Sequence, residues 1–416
     1  MALYAFAVSL LSLLFVLTKV ADRTYRVLAP VAFAVHTLVA VVVLPLLPYR
    51  WDTATFDREA RAILNGGLPS FSSTVDSFAA FHALVYAFLG ADPIVLSLVN
   101  GLLAVLTPLP LYRVLKSLYP SLSVPRLYTL AVLFLPLPLL FTTLPMRDAL
   151  SILVFVTALA LLCMVPDNRD WRPLVVASPL LALLSLLRPE LAAVLALGAS
   201  AGASLWVLDA VSEKPVSLRL VAASATTFGF VGFLALTRLV PLSALNRRIA
   251  FRASGGAAYL EGLQYESWFD VLLLAPIRGL YFQFAPFPLH VNSAFDLLAL
   301  GSLPLLVFFF TGALRSLYRT ESDRVIGTGL IVVYVGGVIG YGLIDSNFGT
   351  SVRHRIPFVL LLITFAAPTL FGLEQSLEDW LRVRPEERRE GDEQDGEREE
   401  LDSVVHVGEQ YPNHSD

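Results

Sequence analysis

Residues 147–165 read RDALSILVFVTALALLCMV, a charged pair followed by an apolar run of the length of a membrane-spanning helix. A helix needs about 20 mainly apolar residues to cross the hydrocarbon core of a bilayer. The composition of the chain fits many such runs, because hydrophobic types make up 56% and charged types only 15% of the 416 residues, whereas soluble domains carry about 25% charged residues. We therefore predict an all-α, polytopic transmembrane helix bundle.

The apolar runs predict about eleven membrane spans, each bounded by charged or proline-containing stretches. They cover residues 2–20, 27–47, 94–113, 127–146, 148–165, 173–188, 190–210, 219–240, 293–313, 325–345 and 356–373. Where two runs almost touch, at 147–148 and at 188–190, we expect the turn of a helical hairpin, because charge and proline favour a turn there. Residues 1–373 thus form a membrane domain, and the charged stretch 374–416 is predicted to be a disordered tail.

The placement of lysine and arginine predicts the orientation of the chain in the cell membrane. Alternate loops are short and basic and are placed in the cytoplasm with the tail, which puts the N-terminus outside. Their basic residues are Lys19, Arg23, Arg26, Arg113, Lys116, Arg126, Arg169, Arg172, Lys214, Arg219, Arg315, Arg319 and Arg324. Two apolar outer segments, 76–90 and 269–290, are predicted to lie in the membrane interface as helices.

The outer loops carry arginine too, against the usual tendency, and this indicates a functional site on the external face. Asp52 follows the second span closely, at the boundary of water and lipid. Partial desolvation raises the pKa and the basicity of a carboxylate, so Asp52 is the candidate catalytic base for an acceptor hydroxyl. A helix N-cap is the alternative role. Asp57 lies on the polar face of the amphipathic stretch that follows and is a supporting candidate.

Three residues before the last span, Arg353, His354 and Arg355, are the candidates for binding a donor phosphate. The planar guanidinium of arginine binds phosphate with two hydrogen bonds, and fixed cations ease the departure of a phosphate anion. Arg247 and Arg248, in the long loop 241–270, are a second anion-binding candidate or plain surface charge. The supporting residues, which pair with one another or serve structure alone, are Arg147, Asp148, Arg188 and Glu190.

The sequence gives no indication of a nucleic-acid interface, an internal disulfide or a metal site. The net charge of −4 leaves no basic footprint for nucleic acid. The single cysteine, Cys163, lies inside an apolar run and rules out an internal disulfide. One loop carboxylate without a cluster of partners does not support a divalent metal site, so no cofactor is expected. Membrane lipids are the expected surroundings.

Several segments, in order along the chain, resemble the GT-C superfamily of membrane glycosyltransferases. They are the first-loop pattern around Asp52 and Phe56-Asp57, the pair Arg147-Asp148, the hairpin Leu187-Arg188-Pro189-Glu190, and Asn347 to Pro357, which is similar to the GTxxRxRxP segment of polyprenyl-sugar-dependent members. The resemblance covers most of residues 27–373.

This resemblance implies inverting transfer of a sugar from a dolichyl- or polyprenyl-phosphate to a lipid-linked glycan or glycoprotein acceptor, with Asp52 as base. Mannose is the commonest sugar among archaeal members, so a dolichyl-phosphate-mannose mannosyltransferase is expected. Trp51-Asp52-Thr53 stands where the best-known pattern has an adjacent Asp-Glu pair, which leaves the acceptor open. Two other classes also stay open: a polysaccharide polymerase or ligase that uses lipid pyrophosphate donors, and a lipid-linked oligosaccharide transporter.

Overall fold

The chain is an all-helical, multi-pass membrane protein. A computed structural model describes residues 1–46, 52–168, 170–211, 217–253, 258–260, 262–291 and 294–381. Within these ranges there are no strands, only one isolated bridge between Ala258 and Asn347. By length and composition, seven of the described helices can cross a membrane, or nine if each of two bent helix pairs is one span. The predicted helical membrane bundle is confirmed, whereas the count of eleven spans stays a prediction.

Each predicted run coincides with a helix, a bent pair of helices, or two helices in line. In chain order the helices are α1 Ala2–Leu17, α2 Arg23–Leu46, α3 Thr53–Leu64, α4 Thr74–Leu89, α5 Pro93–Leu118, α6 Arg126–Phe134, α7 Pro136–Thr143, α8 Asp148–Asn168, α9 Arg172–Leu187, α10 Pro189–Val211, α11 Leu218–Leu239, α12 Leu242–Arg252, α13 Trp268–Phe284, α14 Ala294–Gly301, α15 Leu303–Arg319, α16 Arg324–Ile344, α17 Phe348–His354, α18 Ile356–Phe365 and α19 Ala367–Leu381.

Two of the eleven predicted spans, α1 and α9, are shorter than the other spans, and the number of membrane spans depends on whether they cross the bilayer. Each has 16 residues, which at a rise of 1.5 Å per residue gives about 24 Å of helix. The hydrocarbon core of a bilayer is about 30 Å thick. These helices therefore cross the core only if the bilayer thins locally or the flanking residues extend them.

The two bent pairs, α6 with α7 and α18 with α19, owe their bends to proline. Their axes change direction by 47° and 58°. Leu135, just before Pro136, has an extended ψ of 123°, as expected because a following proline disfavours helical backbone. Pro368 lies in the first turn of α19 and cannot donate the hydrogen bond that would continue α18.

Helices α10 and α16 pack closely against each other. Gly198 lies directly against Gly329 and Val333, and a methyl group on Gly198 would overlap both. Small residues allow helix backbones to approach closely in a membrane, where packing rather than exclusion of water holds helices together. This contact brings the first residues of α10 beside the last residues of α16.

The contacts sort the loops into two ends of the bundle. At one end Arg113 pairs with Asp167 at 2.9 Å, and Arg126 pairs with Glu374 of α19 at 3.4 Å. At the other end lie the hairpin turns at 147–148 and 188–190, together with residues 345–355. Among the loops joined by these contacts, those predicted to share a side of the membrane lie at the same end.

The remaining predictions concern the tail and the two interfacial segments. Helix α19 continues to Leu381, past the predicted start of the tail at 374, and the rest of the predicted tail lies outside the described residues. The segment 76–90 is helical as predicted, in α4. The segment 269–290 forms α13 followed by a 3-10 turn, Pro288–His290. The position of both segments in the membrane interface stays a prediction.

Candidate functional site

A cluster of arginines surrounds Asp148, the first residue of α8. Arg188 Nη2 donates a hydrogen bond to Asp148 Oδ1, and Arg353 Nε lies 3.8 Å from the other oxygen, Oδ2. The side chains of Asp148 and Arg188 are only 3% and 5% exposed. Arg147 interacts electrostatically with all three. The structure therefore brings together four residues that sequence analysis selected from three separate segments.

The turn before Arg147 is fixed by a buried asparagine. Asn100 of α5 donates from Nδ2 to the carbonyl oxygens of Leu144 and Met146, at 2.5 and 2.8 Å. These carbonyls lie between α7 and α8, where no helix supplies their partners. Asn100 thereby holds the hairpin turn in the shape that directs Arg147 and Asp148 into the cluster.

The charges of the cluster do not balance. Three guanidinium groups, those of Arg147, Arg188 and Arg353, face one buried carboxylate. The other two carboxylates beside them, Asp52 and Glu190, are exposed or partly exposed, so positive charge is in excess among the buried groups. Burial, followed by repulsion from Arg188, lowers the pKa of Arg147 to about 10. A pKa of about 10 still leaves Arg147 charged at neutral pH, and a group of guanidinium donors is suited to hold an anion.

Several polar atoms of this region are buried and have no hydrogen-bond partner among the described residues, and four of them matter here. They are Arg147 Nη1, Asp148 Oδ2, Arg353 Nε and His354 Nε2. Buried polar groups are nearly always paired, because an unpaired one loses its hydrogen bonds to water. Such a concentration of unpaired atoms in one cluster indicates a site for a polar ligand.

His354 is held by a second buried carboxylate, Asp345. The Nδ1 atom of His354 lies 2.8 Å from Asp345 Oδ2, and Arg252 pairs with the other oxygen of that carboxylate. Arg252 Nη1 also lies 3.2 Å from Nδ1, but the closer carboxylate, which only accepts, assigns the proton to Nδ1. Burial, and then Arg188 and Arg252, lower the pKa of His354 well below 6.5. The ring is therefore neutral at pH 7, and its Nε2 atom is a hydrogen-bond acceptor.

Two buried side chains hold the backbone at Asp345. Arg278 of α13 donates from Nε to the Gly342 carbonyl at 2.8 Å, and from Nη2 to the Asp345 carbonyl at 2.9 Å. Tyr259 Oη donates to the same Asp345 carbonyl at 2.8 Å. The last carbonyls of a helix lack partners within it, so Arg278 closes the end of α16 and fixes the carboxylate that orients His354.

Asp345 and Arg278 were not predicted from the sequence as site residues. Asp345 stands at the end of the apolar run 325–345, and a carboxylate at membrane depth is a signal of function. Arg278 interrupts the apolar segment 269–290, a similar signal. Both were visible as charges in apolar surroundings, but only the fold shows which groups they contact.

Helix α12 lies beside the cluster and is joined to it by two arginines. Arg248 pairs with Glu190 at 2.7 Å in a largely exposed ion pair, and Arg252 reaches the buried Asp345. Arg247, predicted with Arg248 as an anion-binding residue, is exposed on α12. The structure thus places Arg248 and Glu190 at the rim of the cluster.

Asp52 lies at the solvent side of the cluster. Its Oδ2 atom is 3.6 Å from Arg353 Nη1, and its side chain is 67% exposed. The expected partial desolvation of Asp52 is therefore not seen in the protein alone. Asp52 is the N-cap of α3 through its backbone, since its carbonyl accepts hydrogen bonds from the backbone N–H groups of Thr55 and Phe56, and its side chain makes no capping bond.

Asp57 joins α3 to α4. Its carboxylate accepts hydrogen bonds from Tyr86 Oη at 2.6 Å and from Arg61 Nε at 2.8 Å. Burial raises the pKa of Asp57, but these hydrogen bonds outweigh it and hold the pKa below its ordinary value. The contacts of Asp57 are those of a residue that fixes the first loop.

Arg355 is not placed with the other predicted phosphate-binding residues. It is buried, and its Nη1 atom donates to the carbonyl oxygens of Gln283 and Ala285, at 3.1 and 2.6 Å. Arg353 and Arg355 are two positions apart around a helical turn, and side chains with that spacing point to different sides. Arg355 therefore anchors the segment after α13, and its binding of phosphate stays a prediction.

The polar groups of the site are mostly N–H donors. Among the residues whose positions are described, no three His, Cys, Asp or Glu side chains lie close enough together to hold a metal ion. The arrangement can bind an anion at Arg147, Arg188 and Arg353, and it places one exposed carboxylate, Asp52, beside the last of these. Comparison of the chain with protein-family models, with curated proteins and with solved structures finds no match.

Proposed function

We propose that the chain is a GT-C-type membrane glycosyltransferase. It moves a sugar, with mannose as the first candidate, from a dolichyl- or polyprenyl-phosphate to a lipid-linked glycan or glycoprotein acceptor. The observation that carries the proposal is the buried excess of guanidinium groups beside the exposed carboxylate of Asp52.

The arginine cluster accounts for the departure of the lipid phosphate. When the bond between the sugar and the phosphate breaks, negative charge grows on the phosphate oxygens. Donors that are already fixed in a site shielded from water stabilise such charge most effectively. Arg147 has a buried N–H group, at Nη1, without a partner among the described residues, and this group can donate a hydrogen bond to a phosphate oxygen.

Asp52 is the proposed base. The acceptor hydroxyl attacks the anomeric carbon from the face opposite the phosphate, and its proton passes to the Asp52 carboxylate as the sugar–phosphate bond breaks. The contact with Arg353 keeps Asp52 within reach of the phosphate site, while its exposure leaves room for an acceptor that arrives from solvent.

The end of the bundle that carries the site is proposed to face away from the cytoplasm. The opposite end gathers the short basic loops, which the positive-inside tendency retains in the cytoplasm. In a Cys163→Ala background, a membrane-impermeant maleimide is expected to label Glu59→Cys in intact cells and to leave Glu378→Cys unlabelled. The reverse pattern would contradict the orientation.

The function is tested by assaying transfer from mannosyl prenyl phosphate with the purified chain. We expect turnover by the wild type and by Glu59→Gln, an exposed carboxylate on the same helix as Asp52, and a loss of about a hundredfold or more in Asp52→Asn. Full activity of Asp52→Asn would reject Asp52 as the base. Transfer from a lipid pyrophosphate donor but from no lipid monophosphate donor would instead identify a polymerase or ligase.

A further inference from the structure

One pair of buried atoms in the arginine cluster has the chemistry of a hydroxyl-binding site. Arg353 Nε and Asp148 Oδ2 are 3.8 Å apart, too far for a direct hydrogen bond, and neither has another partner among the described residues. One is a donor and the other an acceptor. A hydroxyl oxygen about 2.8 Å from each would accept from Nε and donate to Oδ2, which satisfies both.

His354 adds a second buried acceptor to the same region. Its Nε2 atom has no partner among the described residues, and the bond from Nδ1 to Asp345 leaves Nε2 without a proton. Arg147, Arg188 and Arg353 interact electrostatically with His354, and the same three residues interact with Asp148. A bare phosphate diester has only acceptor oxygens, so it can satisfy neither Nε2 nor Asp148 Oδ2.

These acceptors decide what kind of anion fits. The ligand must bring O–H donors together with its negative charge, and the donors must lie close to the phosphate. In a glycosyl phosphate the hydroxyl nearest to the phosphate is the 2-hydroxyl, on the ring carbon next to the one that bears the phosphate. The other ring hydroxyls lie further along the same rigid ring.

We propose that Asp148, Arg353 and His354 recognise the hydroxyl groups of the donor sugar. The 2-hydroxyl lies between Arg353 Nε and Asp148 Oδ2, and a neighbouring hydroxyl donates to His354 Nε2. This inference rests on the proposed function, because it takes the bound anion to be a glycosyl lipid phosphate. It adds that the site selects the sugar, so that Asp148 and His354 are specificity-determining residues.

The first test changes the ligand and leaves the protein intact. Calorimetry on the full chain in detergent compares four short-chain prenyl phosphodiesters: the mannosyl, glucosyl, 2-deoxyglycosyl and methyl compounds. All four carry the same single charge. The mannosyl and glucosyl compounds differ only in the configuration at carbon 2, so the same 2-deoxy compound is the reference for both. We expect either the mannosyl or the glucosyl compound to bind roughly tenfold or more tightly than the 2-deoxy compound. The 2-deoxy compound leaves Arg353 Nε and Asp148 Oδ2 buried without a hydrogen-bond partner.

The second test removes the acceptor atom of His354. In His354→Asn the side-chain amide retains a donor for Asp345 but has no atom at the position of Nε2. We expect the preference for the glycosyl over the methyl compound to fall by roughly tenfold, with the affinity for the methyl compound unchanged. His82→Asn, a buried histidine of α4 outside the cluster, is the matched control and should keep the full preference.

The outcomes separate this inference from the function on which it rests. If the methyl, 2-deoxy and glycosyl compounds all bind equally, the phosphate site stands and the sugar recognition is overturned. If His354→Asn keeps the full preference, the role of His354 is overturned. If none of the compounds binds, the proposed function and this inference both fail.

Discussion

Replacing Asp148 by alanine should destabilise the fold strongly, because this carboxylate is the only buried one that pairs with Arg188 within the described part of the chain. Both side chains are almost fully buried. Removal of one partner of a buried ion pair leaves the other charge uncompensated and typically costs about 3–5 kcal/mol. Arg147 and Arg353 would also lose the buried negative charge beside them, so the upper part of this range applies to Asp148→Ala.

The measurement is the free energy of unfolding in detergent, from denaturant titration followed by circular dichroism. A matched control is Glu59→Ala, which breaks an ion pair with Arg58 whose side chains are 72% and 40% exposed. Exposed pairs contribute about 0–1 kcal/mol. If Asp148→Ala cost no more than Glu59→Ala, the cluster would be hydrated in solution, and the argument from buried, uncompensated charge would be refuted.

A double variant checks the cause of the loss. In Asp148→Ala/Arg188→Met the uncompensated charge of Arg188 is removed together with its partner, so part of the stability should return relative to Asp148→Ala. The recovery measures the coupling between the two residues. An equal or larger loss in the double variant would mean that Arg188 supports the fold through other contacts.

Three further predictions concern single residues of the site. Arg353→Lys is expected to lower kcat for transfer about a hundredfold, because lysine cannot bind phosphate with two hydrogen bonds. The control is Arg113→Lys at the opposite end of the bundle, which should leave kcat unchanged. Arg278→Lys should lower the free energy of unfolding by about 2 kcal/mol, since one ammonium group cannot donate to all the carbonyls at the end of α16. An unchanged midpoint of denaturant unfolding would contradict this role. The pKa of His354 in the folded state lies well below 6.5, so the unfolded chain binds the proton first as the pH falls. The contribution of the neutral histidine to stability is therefore present above pH 6.5 and is lost as the pH falls below that value. Between pH 7 and pH 5, His354→Asn should therefore lose less free energy of unfolding than the wild type loses.

The helices could be predicted from sequence because the bilayer imposes a simple condition. Each span must be long and apolar and must satisfy its backbone internally. The positions of the turns also followed from local signals, such as Pro189 between two charged residues. What local signals could not supply was the length of α1, which ends at Leu17 although its predicted run continues to residue 20.

The sequence predicted some of the residues that meet in the candidate site, and the rest were not predictable for physical reasons. Arg147, Asp148, Arg188 and Arg353 were selected because charge at membrane depth is costly, and they do meet. Arg355 was grouped with Arg353 because the two are near in sequence, but the helical turn of α17 directs them apart. The partners of Asp345, which are Arg252, Arg278 and His354, come from three segments, so no local pattern could have revealed them.

The composition of the cluster argues that it was selected for binding and not for stability. Burying like charges together costs free energy, and an ion pair balanced one to one, or an apolar core, would cost less. Two fixed elements nevertheless hold this arrangement: Asn100 secures the turn before Arg147, and Arg278 secures the backbone at Asp345. Rigid support around an unbalanced charge is what a site needs when its ligand supplies the missing negative charge, because the groups are already in place when the anion arrives. The bound anion then offsets the repulsion, so that the cost to the empty protein becomes part of the affinity for the ligand.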